Sequence, residues 1–268
     1  MRHSLIRFCA LFMAISLMTA CGTNGGTSVP ETAQSSPPAS SQNAVVQDSP
    51  EQGTSNVLLW INGTYAVLTE LNGNDYTLLG GIELTQANQN GTILSLEQAW
   101  GVTDRATADT TIDWLLTEGH RVGYAGLMEA LDELGAAEMT EDALVAYLNS
   151  NYSFTSDDEP VYLARSYSYY RTYGSGAIDG WDYCRAMSLA GWYYTAGYYT
   201  EEEAMQKSLE IAEIIQARFS SWDEMMDSYL MGYEYWSSTS SEQRRTVYEE
   251  IKARENSPFS LDWNLPLE

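Results

Sequence analysis

Basic residues are scarce in this chain of 268 residues: 13 Lys and Arg stand against 37 Asp and Glu, and the formal net charge is −24. Lys207 and Lys252 are the only lysines. A nucleic-acid binder needs a cationic stripe that displaces counterions from phosphates, and the sequence contains none. The same scarcity excludes a polybasic membrane footprint. We therefore expect no nucleic-acid partner, and a membrane attachment would have to come from another feature of the chain.

The sequence also lacks an apolar run of the roughly 20 residues that span a bilayer. The uncharged run Phe8–Ala20 is shorter, and Arg2 and Arg7 precede it. This pattern is typical of a signal peptide over residues 1–20. The letters LMTAC, which end the run, resemble a bacterial lipoprotein signal and imply that Cys21 is acylated and becomes the new N-terminus. The alternatives are an ordinary secreted protein that is cleaved elsewhere, and an uncleaved anchor.

Cysteine and histidine are rare as well. If residues 1–20 are removed and Cys21 carries lipid, Cys184 is the remaining thiol and His120 the remaining histidine. A disulfide within the chain, a multi-cysteine metal site and any site with two His ligands are then excluded. We expect no metal and no cofactor. Several acyl chains on one cysteine would hold the protein on the membrane, facing outside the cytoplasm.

Residues 21–54 are rich in Gly, Ser, Thr, Pro and Gln and show no helical or strand periodicity. This composition predicts a flexible linker with an r.m.s. reach of roughly 30 Å. Residues 55–268 are predicted to form the folded domain.

Apolar residues recur at helical spacing through most of that domain, most clearly over 204–219. Thr200 with Glu203 has the spacing of a capping box. Thr103 is predicted to be the N-cap of a helix that ends near Gly119. No segment alternates convincingly, although YTLLGGIEL could be a short strand. The predicted fold class is all-α: one irregular multi-helix bundle after a disordered linker.

Six motifs succeed one another in two blocks, residues 96–121 and 180–236. They are AWGVTDR, DWLLTEGHR, WDYCR, AGYYTEEEA, FSSWDE and YLMGYEYW. In these motifs and their order the chain resembles the bacterial family catalogued as domain of unknown function 1266. The resemblance implies one compact helical domain, and it brings no activity, cofactor or site residue with it.

The polar residues of these blocks are the candidates for a site: Asp104, Arg105, Asp113, Glu118, His120, Arg121, Asp182 and Arg185. Asp182 and Arg185 stand at i and i+3 of one helix and are predicted to pair, with Trp181 beside them. They could form the charged floor of a pocket in which Arg185 holds a carboxylate or phosphate. A structural ion pair between helices is the favoured alternative, because such pairs perturb pKa values without catalysing anything. The candidate binding residues are Trp181, Asp182, Arg185, Asp113, His120 and Arg121.

The candidate catalytic residues are Asp182, Arg185, His120 and Cys184. A Cys184–His120 dyad would need the two side chains within hydrogen-bond reach, and nothing in the sequence places them together. Cys184 as a small buried hydrophobe and His120 as a helix-end residue are the plainer alternatives. A hydrolase with paired carboxylates would need a separation that sequence spacing does not give.

Ten of the 19 tyrosines lie between Tyr162 and Tyr199. Such rings form either a core with polar tips or an exposed platform for a sugar or a protein, and the core is favoured. Two functions therefore stay open. The first is a lipid-anchored binding module at the bacterial cell surface that engages a protein or a cell-wall glycan. The second is a hydrolase with a carboxylate or Cys/His site.

Overall fold

The computed structural model describes residues 50–267, with side chains from residue 56 onward. The fold lies in one compact unit, Gly53–Glu268. The predicted signal peptide, Cys21 and the linker up to residue 49 lie outside the described residues.

The described residues form helices joined by turns and loops. In chain order they are α1 Pro50–Gly63, α2 Ala66–Leu71, α3 Gln86–Trp100, α4 Arg105–Thr117, α5 Gly119–Glu133, α6 Glu141–Asn151, α7 Glu159–Tyr173, α8 Asp179–Ala196, α9 Glu201–Arg218, α10 Trp222–Ser237 and α11 Glu242–Lys252. Short 3₁₀ helices span Leu79–Gly81, Ala136–Glu138 and Pro258–Ser260. Residues 50–267 contain no β-strand, which confirms the all-α class.

Two details differ from the sequence-based expectations. Helix α1 begins at Pro50 and so includes the last residues of the predicted linker 21–54. The segment 76–84, which could have been a strand, contains the 3₁₀ helix Leu79–Gly81 instead, where Gly80 has a φ of 75°.

Helix α8 is the centre of the main core. Most of its side chains are buried, and α3, α4, α9 and α10 pack against it. The approach of α10 is especially close: a Cβ on Gly232 would lie 2.2 Å from the Cβ of Trp181. The stretch with the densest aromatic content in the sequence is thus the wall of a core, which the sequence analysis favoured.

A second apolar cluster joins α5, α6 and α7. Tyr124, Met128 and Leu131 of α5 pack there with Leu144 and Leu148 of α6. The start of α5 meets α4 and α8, so this helix connects the second cluster to the main core.

Two helices begin at capping boxes. Thr200 and Glu203 form the predicted capping box at the start of α9. The N-cap of α4 is Asp104 and not Thr103, and its partner in a second capping box is Thr107. The Asp104 carboxylate accepts the backbone N–H of Thr107 at 2.9 Å, and the Thr107 hydroxyl accepts the backbone N–H of Asp104 at 3.1 Å, which makes Asp104 the cap.

No helix within residues 50–267 is both long enough and apolar enough to cross a membrane.

Candidate functional site

Asp182, in the first turn of α8, has a side chain with 0% exposure and receives four polar contacts. Its Oδ1 accepts the backbone N–H of His120 at 3.0 Å and lies 2.6 Å from the Nδ1 of the same residue. Its Oδ2 accepts the backbone N–H of Arg121 at 3.0 Å and the Nη1 of Arg121 at 3.3 Å. An ionised carboxylate only accepts, so an ionised Asp182 matches the tautomer of His120 that has its proton on Nδ1.

These contacts make Asp182 the cap of another helix. His120 and Arg121 belong to the first turn of α5, where backbone N–H groups have no partner within the helix and a negative charge is favoured. Glu118, at the N-cap position of α5, makes no side-chain cap. The carboxylate of Asp182 on α8 therefore caps the N-terminus of α5, a role that in most helices belongs to a residue next to the helix in sequence.

Gly119 makes this approach possible. Its φ is 61°, a conformation that residues with a Cβ rarely adopt. A Cβ at this position would also lie 2.2 Å from Oδ2 of Asp182. The predicted helix end near Gly119 is confirmed, since α4 ends at Thr117, but α5 begins at once.

Arg121 connects the same carboxylate to the end of α4. Its Nη1 donates to the carbonyl of Leu115 at 2.7 Å and its Nη2 donates to the carbonyl of Leu116. These are carbonyls of the last helical turn, which lack partners within the helix. One guanidinium thus holds the end of α4 against the start of α5 and the start of α8.

Asp179 and Arg218 extend the network, although neither was among the candidate residues of the sequence. Arg218 donates from Nε to Asp179 at 2.6 Å and from Nη2 to the carbonyl of Gly176 at 2.9 Å. Arg121 Nε lies 4.0 Å from Asp179. Burial raises the pKa of the Asp179 carboxyl, against the opposing effect of Arg218. The available signal was the i, i+3 spacing of Asp179 and Asp182 in one helical turn. We call Asp179, Asp182, His120, Arg121 and Arg218 the Asp182 cluster.

Four members of the Asp182 cluster are nearly closed to solvent, whereas the side chain of Arg218 at its edge is 37% exposed. The side chains of His120 and Arg121 are each 12% exposed and that of Asp179 is 11% exposed. The rings of Trp114 and Trp181 lie 5.2 and 6.2 Å from the imidazole. An Asp–His pair can orient a general base, but a general base needs a reacting group within hydrogen-bond distance. Among the described residues, the side chain that bonds the imidazole is Asp182, and the cluster is arranged to hold three helices together.

Arg185 does not belong to this cluster. In the described part of the chain no ion pair joins it to Asp182, so the predicted pairing is wrong. The reason is that Asp182 is engaged by partners on α5. The Cζ of Arg185 lies 5.1 Å from the ring centroids of both Trp100 and Trp181. Burial lowers the pKa of Arg185 to about 10, and the charge of Arg244 acts in the same direction.

Arg244, in the first turns of α11, lies among aromatic rings as well. Its Nη1 donates to the hydroxyl of Tyr229 at 2.6 Å, and its Cζ lies 4.0 Å from the ring centroid of Tyr233. Both tyrosine rings contact Trp181, at 5.5 and 6.0 Å. Trp181 therefore contacts Arg185 and also both tyrosines that contact Arg244. Arg244 was not among the candidate residues of the sequence.

Cys184 and His120 do not form a dyad in the described residues. Cys184 is buried in the main core, and burial raises the pKa of its thiol well above the ordinary value. The thiolate, which is the nucleophile, is disfavoured in such a place. The plainer sequence-based alternative, a small buried hydrophobe, fits this environment.

The remaining candidates lie elsewhere. Asp113 is exposed on α4 and Glu118 is exposed at its end. Asp104 is the N-cap of α4, and Arg105 pairs with Glu203 at 2.5 Å. The structure thus brings together Trp181, Asp182, His120 and Arg121, and among the described residues no side-chain hydrogen bond or ion pair joins Asp113 to them. Within residues 50–267, no three His, Cys, Asp or Glu side chains are grouped to hold a metal ion.

The model of a family described as "Protein of unknown function (DUF1266)" matches residues 95–263 of the chain. The match contains the whole Asp182 cluster together with Arg185 and Arg244. Neither a curated protein nor a solved structure matches the chain.

Proposed function

The chain belongs to the DUF1266 family, and we propose that this member is a lipid-anchored binding module outside the cytoplasm of a bacterial cell. The single observation that supports the binding role is that the buried Asp182 carboxylate is fully engaged by hydrogen bonds from α5. It is the most deeply buried acid of the shared motifs, and backbone and side-chain donors of α5 engage both of its oxygens. Charges used in this way position helices, and they leave the surface of the domain to recognise a ligand.

The anchor is supported by the first 21 residues. Phe8–Ala20 has the length and charge of a signal-peptide core, and LMTAC ends in the cysteine that a lipoprotein signal requires. Loss of residues 1–20 removes two arginines and no acid, so the charge of the mature chain moves from −24 to −26. An acidic protein gains nothing from anionic headgroups, so the lipid would supply the attachment. A protein or a cell-wall glycan is the expected partner.

A hydrolase is the second candidate, and one contact favours it. The 2.6 Å pairing of Asp182 with Nδ1 of His120 is the orientation that an Asp gives to a catalytic imidazole. The nucleophile that such a hydrolase needs is not supplied by Cys184, whose thiol is buried with a raised pKa.

Metabolic labelling tests the anchor. Cells that express the full-length chain with radioactive palmitate should show one labelled band, and Cys21→Ser should abolish it. Exogenous protease applied to intact cells and to spheroplasts then reports on which side of the membrane the domain lies. A labelled band that survives Cys21→Ser, or a domain digested only after lysis, contradicts this part of the proposal.

Turnover assays separate the two candidates. Chromogenic ester, phosphate, glycoside and peptide substrates are offered to the full-length chain and to His120→Asn and Cys184→Ala. A binding module gives rates equal to the blank with all three proteins. Turnover that His120→Asn removes while the melting temperature stays unchanged would establish the hydrolase.

A further inference from the structure

Two cations of this acidic chain have no acidic partner in the part that the structure describes. The described residues include 11 Lys and Arg, and nine of them form ion pairs. The two that do not are Arg185 and Arg244. Because the chain has 37 acidic residues and only 13 basic ones, one would expect each arginine to find a carboxylate partner, and two neighbouring arginines without one are unexpected.

We propose that Arg185 and Arg244, the arginine pair, form a binding site for the carboxylate or phosphate group of a small organic anion. The inference rests on the proposed binding role and adds to the expected protein or glycan partner a small-molecule ligand of stated class. The site lies between α8 and α11, with Trp181 and the tyrosines of α10 as its wall.

Unused hydrogen-bond donors support the site. The Nε of Arg185 and the Nε1 of Trp181 are buried and have no hydrogen-bond partner in the described structure. Trp181 is 1% exposed, and its ring centroid lies 5.1 Å from the Cζ of Arg185. Buried donors are satisfied in most native proteins, so each exception needs an explanation. Two buried donors without an acceptor, on side chains that contact each other, call for a ligand that brings acceptor oxygens.

Electrostatics favours the same ligand. Arg185 and Arg244 are close enough for the charge of one to lower the pKa of the other. An anion between them would remove this repulsion, and a guanidinium fork matches the oxygens of a carboxylate or a phosphate. The nearest acid of the motif, Asp182, is saturated by α5 and is not free to fill the place.

The aromatic wall indicates an organic anion with an apolar part. Tyr229 is 2% exposed, whereas Trp100, Tyr233 and Trp236 are only partly buried. Trp181 lies 5.4 Å from the ring of Trp236 and 6.0 Å from that of Tyr233. Ligand sites of small molecules are commonly lined by such rings with a few polar groups that fix the orientation.

Calorimetric titration of the full-length chain in detergent tests the site. The probes are inorganic phosphate, phenyl phosphate and benzoate, each titrated at constant ionic strength with chloride as the background anion. We expect saturable binding of one equivalent, tighter for phenyl phosphate than for inorganic phosphate because of the rings. Arg244→Gln should weaken binding at least tenfold. Arg185→Lys, which keeps the charge and loses the planar fork, should weaken it by a smaller factor.

Arg245→Gln is the matched control. It removes the same charge from the neighbouring position of α11, where Arg245 pairs with Asp227 at 2.5 Å, and it should leave the affinity unchanged. Circular dichroism checks that each variant is folded. If Arg185→Lys does not fold, the affinity of Arg244→Gln decides the test. Equal weakening by Arg245→Gln, or no saturable binding of any probe, overturns the site. Binding of a poly-glutamate peptide without binding of the three small probes assigns the pair to an acidic protein partner and also overturns it.

The result is separable from the proposed function. Palmitate labelling of Cys21 does not depend on the arginine pair. If no probe binds but the chain is labelled, the anion site is wrong and the proposal of a lipid-anchored binding module stands. Saturable anion binding together with turnover that His120→Asn abolishes would keep the site and remove the purely binding role.

Discussion

Asp182 of α8 accepts the backbone N–H of His120 at 3.0 Å, so that a side chain 62 residues away completes the first turn of α5. A local N-cap stabilises only its own helix, whereas this cap also fixes where α5 meets α8. Because Arg121 adds the end of α4, one buried carboxylate determines the relative position of three helices.

Asp182→Ala should lower the free energy of unfolding by about 3–5 kcal/mol, because two buried backbone N–H groups lose their acceptor and Arg121 loses a buried carboxylate partner. Chemical denaturation followed by circular dichroism measures this change. Asp113→Ala removes an acid from an exposed position of α4 and should change stability by no more than about 0.5 kcal/mol. Equal unfolding midpoints for the wild type and Asp182→Ala would refute the role of Asp182 as a cap.

Gly119→Ala should be destabilising for two reasons. The left-handed conformation costs a residue with a Cβ roughly 1–2 kcal/mol, and the new methyl group would approach Oδ2 of Asp182 to 2.2 Å. Gly126→Ala in the same helix is the control, since its Cβ would meet nothing within 4 Å. There the loss of backbone freedom in the unfolded chain should stabilise the protein by about 0.4–1 kcal/mol. Thermal unfolding of the two variants should therefore shift in opposite directions, and a shift in the same direction contradicts the account.

The sequence predicted those features that are decided within one helical turn. The capping box of Thr200 and Glu203 needs only a Thr and a Glu at the right spacing, and the all-α class results from the repeated apolar spacing. Thr103 and Asp104 are adjacent residues that can both cap a helix, so the sequence analysis placed the helix start near them but named the wrong one.

The partners of Asp182 could not be predicted in the same way. Arg185 is one turn away and sterically able to pair, whereas His120 and Arg121 are 62 and 61 residues distant along the chain. Which residue pairs with Asp182 depends on how α5 crosses α8, and packing at many positions sets that crossing. For the same reason the sequence did not indicate that Arg244, on a later helix, lies near Arg185.

Cys184 should react with a thiol reagent only when the core opens. In a chain with Cys9→Ser and Cys21→Ser it is the single thiol. At pH 8 its native-state reaction with Ellman's reagent should be slower than in denaturant by about tenfold or more, since each unit of raised pKa costs about a factor of ten in thiolate. The control is Ser240→Cys in the same chain with Cys184→Ala, which places one thiol at an exposed position. Comparable native rates for Cys184 and for the control thiol would mean that Cys184 is accessible and would revive the dyad.

Glu224, in the first turn of α10, contributes stability that the domain loses as the pH falls into the acid range. It accepts the backbone N–H of Ser220 at 2.7 Å and the Ser220 hydroxyl at 2.6 Å, and these bonds lower the pKa of its carboxyl in the folded state. The unfolded state then binds the proton first, so the contribution is complete above the ordinary Glu pKa of about 4.3 and is lost as the pH falls through the lower folded-state value. Urea denaturation from pH 6 to pH 3 should give a shallower pH slope for Glu224→Gln than for the wild type. Glu213→Gln removes one acid from an exposed position of α9 and should keep the wild-type slope. If Glu224→Gln also kept the wild-type slope, the Ser220 contacts would not favour the charged form of Glu224, and the linkage drawn from them would be wrong.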